Sequence, residues 1–204
     1  MFHPLTTWSI GPLTLSVELL FLLLALMTGF FAVSRYLKWK GTEQQEEIMD
    51  KVTIAVIAGV AVFKFWPFVL QPSLLSDLRN LIYFSGGPWA VPAAMAAAFL
   101  IIIIYFFRKQ WPADVWEALL GGVLISLIFF NIFVRQYGAV SPFNTGFSLE
   151  GATVHPVNFY YVWLYFLSFL GALVFFKKEA VTGKSVYFII SIVAVYLLMM
   201  PFHV

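Results

Sequence analysis

From Ile82 to Phe107 the chain runs for 26 residues without one charged side chain. A run of that length suits a helix rising 1.5 Å per residue through a hydrocarbon layer, which needs about 20 apolar residues. Five further runs have the same character. Pro12–Tyr36 carries Glu18 ahead of the basic edge at Arg35, Val52–Gln71 is interrupted only by Lys64, and Val115–Val134 only by Glu117. Phe159–Phe176 and Ser185–Val204 hold no Asp, Glu, Lys or Arg. Six spans of this kind take up most of the 204 residues, and only 11% of the chain is charged, against about 25% in a soluble domain. No separate soluble catalytic domain fits in the remainder. The expectation is an all-α integral membrane protein, a polytopic bundle of about six transmembrane helices forming a single transmembrane domain over residues 1–204. The first run lacks a basic leader and a small-residue cleavage site, so it reads as a retained helix. With no cysteine, the chain forms no disulfide or thiolate metal site and offers no thiol nucleophile. A net charge of +2 gives no reason to expect a nucleic-acid partner.

Orientation follows from the distribution of Lys and Arg. Arg35, Lys38, Lys40 and Lys51 lie between the first and second runs, Arg108 and Lys109 between the third and fourth, and Lys177, Lys178 and Lys184 between the fifth and sixth. The other connections hold Arg79 and Arg135. The positive-inside rule therefore predicts a multi-pass protein with both termini outside the cytoplasm. Thr42 with Glu43, Glu46 and Glu47 reads as the capped start of a polar helical turn, and Asp114 with Glu117 as charges suited to a helix N-terminus. Ala90, Ala93, Ala94, Ala97 and Ala98, with Gly121, Gly122 and Ser126, would let the third and fourth helices approach closely.

On this topology the unusual polar residues gather in the outer half. Glu18 and Lys64 are each expected roughly 10 Å deep, counting 1.5 Å per residue, and could form an intramembrane polar pair, since a lone ion there costs about 2.5–3.5 kcal/mol. His155 lies in His155-Pro156-Val157-Asn158-Phe159-Tyr160-Tyr161, where an outer loop enters the fifth helix; an imidazole titrating near neutrality suits a general base. Asn158 could cap that helix. Asn131 and Arg135, four residues apart, would share a helical face, with the arginine fork suited to a lipid phosphate. Ser85-Gly86-Gly87-Pro88 would open the third helix and present backbone N–H groups to an anion. The three histidines have no spacing that fixes a metal geometry; no metal and no cofactor is expected.

These residues, in this order, resemble the prolipoprotein diacylglyceryl transferase family over nearly the full chain. Ser9-Ile10-Gly11-Pro12-Leu13-Thr14-Leu15 is similar to that family's IGPLSI entry to its first span, and Ser85-Gly86-Gly87 to its HGG. Phe130-Asn131 through Gly138 falls where its GRxGNFxNxExxG stretch lies, and His155-Pro156-Val157-Asn158-Phe159-Tyr160 is similar to its HPTQLY. The resemblance implies a transferase-like protein that moves diacylglyceryl from phosphatidylglycerol to a cysteine of a prolipoprotein at the outer membrane face. On that reading His155 is catalytic, and Lys64, Ser85, Gly86, Gly87, Asn131, Arg135, Asn158 and Tyr160 bind substrate. The chain departs from the family where Ser85 replaces its histidine and where Phe129 and Phe130 stand near its arginine. A divergent member that handles phospholipid or lipoprotein is therefore the leading expectation, and a non-catalytic lipid- or lipoprotein-binding relative is the alternative.

Overall fold

The structure, a computed structural model, describes residues 1–3, 6–10, 13–77, 79–80, 86–142, 146–149, 151–176 and 181–202. It is mostly helical, and six of its helices are long and apolar enough to cross a membrane. In chain order these are α1 (Val17–Lys40), α2 (Gln45–Leu70), α3 (Ala90–Lys109), α4 (Asp114–Phe133), α5 (Val157–Phe175) and α6 (Val181–Met199). Short 3-10 turns follow α2 at Pro72–Ser76 and α6 at Met200–Phe202. Much of the apolar surface on these helices is exposed, with Phe31, Phe107 and Phe175 each at least 70% open. Helices apolar around most of their circumference suit a lipid surround.

Strands accompany the helices at two places. β1 (Thr7–Ile10) and β2 (Leu13–Ser16) form an antiparallel hairpin immediately before α1. β3 (Tyr137–Val140), β4 (Phe147–Leu149) and β5 (Ala152–Pro156) form an antiparallel sheet in the order β3-β5-β4 between α4 and α5. The hairpin shortens the first expected span at its start: residues 13–16 are strand, and α1 begins at Val17. Ser16 caps it, its hydroxyl accepting from the Leu19 N–H at 3.2 Å. At the other end Gly41 adopts φ +69° and closes α1 by donating to the Leu37 and Lys38 carbonyls, a conformation glycine takes without steric cost.

The polar turn expected at 42–47 is continuous with α2. Its N-cap position is Gln44, which makes no side-chain cap; Thr42 contributes only its carbonyl, accepting from the Gln45 N–H at 3.2 Å. Glu46 and Glu47 then occupy the first turn, where the helix dipole favours them.

The chain divides into two compact units, residues 1–41 with 113–204, and residues 42–112. In the first, α1 packs chiefly on α4, α4 on α5, and α6 on both α4 and α5. The buried face of α1 is Val17, Phe21, Ala25, Gly29, Val33 and Leu37, a strict four-residue spacing that forms one ridge. A Cβ on Gly29 would strike Ser126 Oγ and come within 2.6 Å of the Gly122 carbonyl, and one on Gly122 would strike Val33. A second core joins α4, α5 and α6 through Leu124, Val157, Tyr161, Tyr165, Phe188 and Val195. In the other unit α3 packs on α2; a Cβ on Gly59 would stand 3.1 Å from the Ala94 carbonyl and 3.4 Å from the Ala98 methyl. Of the small residues singled out in the sequence, Ala94 and Ala98 thus stand close to Gly59 of α2, and Gly122 and Ser126 close to Gly29 of α1, the close backbone approach that small residues permit.

Candidate functional site

β5 runs without a loop into α5, so strand geometry fixes where His155 stands. Its neighbours Val154 and Val157 are buried. His155 itself is half-buried, with Nδ1 3.1 Å from Tyr160 Oη. The Phe202 ring packs edge-on against both, at 5.2 Å from the imidazole and 5.7 Å from the phenol. Where Nδ1–H donates to the phenol oxygen, Nε2 keeps its lone pair and can take a proton; in the other tautomer Tyr160 donates and Nε2 carries the hydrogen. The sequence expectation of a loop at His155 is corrected: strand pairing of Phe147–Leu149 and Tyr137–Val140 with Ala152–Pro156 orders it.

Asn158 lies one turn away and is fully buried. It does not cap α5, whose N-cap position is Pro156. Its Nδ2 donates to the Asn131 carbonyl at 3.1 Å and to Met1 Sδ at 3.3 Å, while its Oδ1 accepts from the Gln136 N–H at 3.4 Å. Asn158 therefore ties the end of α4, whose last carbonyls have no helical partner, to the start of α5. Asn131 is also buried; its Nδ2 donates to the Leu127 carbonyl at 2.8 Å, and its Oδ1 accepts nothing among the described residues. Arg135 does not share a helical face with Asn131. α4 ends at Phe133, and Val134 is extended and bridged to Phe2, so the four-residue helical spacing lapses. The Arg135 backbone N–H donates to the Phe2 carbonyl at 3.0 Å, and its guanidinium lies 5.1 Å from the centre of the Phe147 ring, a cation–π arrangement. Its Nε is buried without a hydrogen-bond partner among the described residues. His155, Asn158, Tyr160, Asn131 and Arg135 thus all belong to the junctions of the three-stranded sheet with α4 and α5.

The remaining site residues are described by themselves. Lys64, Gly86 and Gly87 belong to the unit of residues 42–112, and Ser85 lies outside the described residues. Gly86 and Gly87 have φ of +76° and +100°. The Gly86 N–H donates to the Phe63 carbonyl at 2.9 Å, so it is not presented to an anion as expected. Nor do the glycines open α3 directly, since Pro88 and Trp89 intervene before Ala90. The Pro88 carbonyl accepts from Trp66 Nε1 at 2.7 Å, holding this turn on α2 above a shallow apolar groove of about 190 Å³ lined by Pro67, Leu70, Leu74 and the two glycines. Glu18 is an exposed residue in the first turn of α1. The hairpin before α1 displaces the helix start, so Glu18 is not several residues within the helix, and the dipole at that end favours its charge.

One further polar cluster gathers residues that the sequence does not link. At the opposite end of α4 from Asn131, Glu117 is buried and its Oε1 accepts from Lys184 Nζ of α6 at 3.0 Å. Asp114 Oδ1 stands 3.7 Å from Lys40 Nζ, and the Tyr36 hydroxyl faces the Glu117 carboxylate. Read one at a time, Glu117 suited a helix dipole and Lys184 a topology signal. The only signal available was their opposite sign on different helices, which fixes no pairing.

The chain matches no protein-family model, and a search among well-characterised proteins returned no significant match.

Proposed function

We propose that the protein is a divergent relative of the prolipoprotein diacylglyceryl transferases, handling phospholipid at the outer face of a bacterial plasma membrane. The reading is supported by one observation above others: a histidine hydrogen-bonded to a phenol, His155 with Tyr160 at 3.1 Å, belongs to the same sheet-and-helix junction as the half-buried cation Arg135 and the buried amides Asn131 and Asn158. Diacylglyceryl transfer joins a cysteine sulfur to the glyceride carbon as the carbon–oxygen bond to phosphate breaks. Glycerol phosphate leaves with the electron pair. His155 Nε2 takes the thiol proton, Tyr160 holds the imidazole in orientation, and Arg135 offsets charge on the departing phosphate. Phosphatidylglycerol supplies the diacylglyceryl group, and the acceptor cysteine belongs to the prolipoprotein.

The test is transfer of radiolabelled glyceride from phosphatidylglycerol to a lipobox peptide by the reconstituted full chain. Wild-type protein should label the peptide and His155→Ala should not; equal yield from the variant would remove His155 from the chemistry.

A non-catalytic reading has its own support. The family's histidine is Ser85 here and its arginine is missing near Phe129, and losing one preorganised donor at such a site costs about 2.7–4 kcal/mol of barrier. On this reading the protein binds an anionic lipid without turning it over. Native mass spectrometry should then retain phosphatidylglycerol on the wild type, lose it with Arg135→Ala, and detect no labelled peptide under any condition.

A further inference from the structure

Residues 1–3 run as a short extended segment beside the end of α4. The Phe2 N–H donates to the Phe133 carbonyl at 2.8 Å, the Arg135 N–H donates back to the Phe2 carbonyl at 3.0 Å, and Phe2 bridges Val134 in the parallel sense. The Phe2 ring stacks on Phe21 of α1 at 5.1 Å, and Asn158 of α5 donates to Met1 Sδ, so the segment is fastened to three helices. In a parallel pair, residues in register carry their side chains to the same face. Phe2 opposite Val134 therefore puts His3 beside Arg135, and the alternation of extended chain brings Tyr137 to that face as well. The ring contacts agree: His3 lies 5.2 Å from Tyr137, while Tyr137 and the Arg135 guanidinium both meet Phe147, at 5.7 and 5.1 Å. An arginine and a histidine thus stand side by side on an aromatic face, and among the described residues no carboxylate forms an ion pair with Arg135.

We propose that His3 is a second contact for the phosphate of an anionic phospholipid, acting beside Arg135. The proposal rests on the reading of Arg135 as a lipid-phosphate contact and on no catalytic step. An arginine lying over a ring uses the face of its guanidinium there, and its in-plane N–H groups serve an acceptor. An imidazole offers one N–H when neutral and two when protonated, so it can donate to a phosphate oxygen in either form. The place in the fold selects a lipid over a soluble phosphate. α1 begins at Val17, α4 ends at Phe133 and α5 begins at Val157, and the segment touches all three near those ends, where membrane-crossing helices emerge. Trp8, 44% exposed and edge-on to Phe2 at 6.1 Å, is a residue type that settles at headgroup depth. A guanidinium without a carboxylate partner favours a headgroup of net negative charge over a zwitterion.

The test is native mass spectrometry of the full chain in detergent, titrated separately with phosphatidylglycerol, phosphatidylcholine and glycerol 3-phosphate. Wild-type protein should retain phosphatidylglycerol in preference to phosphatidylcholine, and excess glycerol 3-phosphate should not displace it. Arg135→Ala and His3→Phe should each weaken retention about tenfold, the effect of losing one hydrogen bond to a charged group. His3→Phe keeps a ring against Tyr137, and His3→Lys, which restores a cation, should recover most of the loss. Unchanged retention in His3→Phe beside a loss in Arg135→Ala would overturn the role of His3 and leave the lipid reading standing, whereas no loss in Arg135→Ala would overturn both. A loss in His3→Phe that His3→Lys does not recover would show that His3 acts by packing alone and would overturn the proposal. Equal retention of phosphatidylcholine, or displacement by glycerol 3-phosphate, would overturn the anionic lipid as the occupant.

Discussion

Asn158 shows how a residue type can be read correctly and its role missed. An asparagine two positions after a proline at the start of an apolar run reads as a helix cap. In the fold it is fully buried and bonds to the Asn131 carbonyl and the Gln136 N–H, groups far away in sequence that only the α4–α5 packing brings within reach. Asn158→Leu leaves both without that partner and should lower stability by about 1–3 kcal/mol; a thermal-shift measurement on detergent-solubilised protein with no change would end the tie assigned to it. Lys184 and Glu117 make the same point for charge. Removing one member of a buried pair strands the other, so Lys184→Met should cost about 3–5 kcal/mol, whereas the double substitution Lys184→Met with Glu117→Met should recover most of it. Chemical denaturation of the three proteins decides this, and additive losses would show that the two side chains do not interact.

At the scale of elements, the apolar runs were legible because hydrophobicity over 20 residues is a strong, local signal. The hairpin before α1 was not, although alternation was present in Leu13-Thr14-Leu15-Ser16. Leu, Thr and Ser continue an apolar run as easily as they begin a strand, and the pairing partner Thr7–Ile10 decides between them. Helix partners were equally illegible. Gly121 and Gly122 are indistinguishable in composition, yet Gly122 is buried against Val33 and Gly29 while a Cβ on Gly121 meets nothing within 4 Å. Gly122→Ala should therefore push α1 from α4 and cost about 1–3 kcal/mol by overpacking. Gly121→Ala should instead be neutral or stabilise by about 0.5–1 kcal/mol through helix propensity. Thermal unfolding of the pair is the check, and equal effects of the two would contradict the α1–α4 interface.

For the whole molecule, the charge asymmetry predicts which side each connection faces, and the absence of cysteine gives a silent background for testing it. Thr6→Cys should react with a membrane-impermeant maleimide in intact cells, and Gln44→Cys only after permeabilisation; the reverse pattern would invert the topology. The number of apolar segments and their fit to a bilayer are legible in composition alone, because transfer from water to hydrocarbon depends on one segment and not on its neighbours. The sequence also marks His155 and Arg135 as unusual. It took the packed fold to bring His155 to Tyr160 across the β5–α5 junction, to carry Arg135 off the helix and over Phe147, and to pair Glu117 with Lys184. Each of these depends on where a chain turn ends and which helix lies opposite, and short-range polar geometry is set by packing among segments that composition alone cannot order.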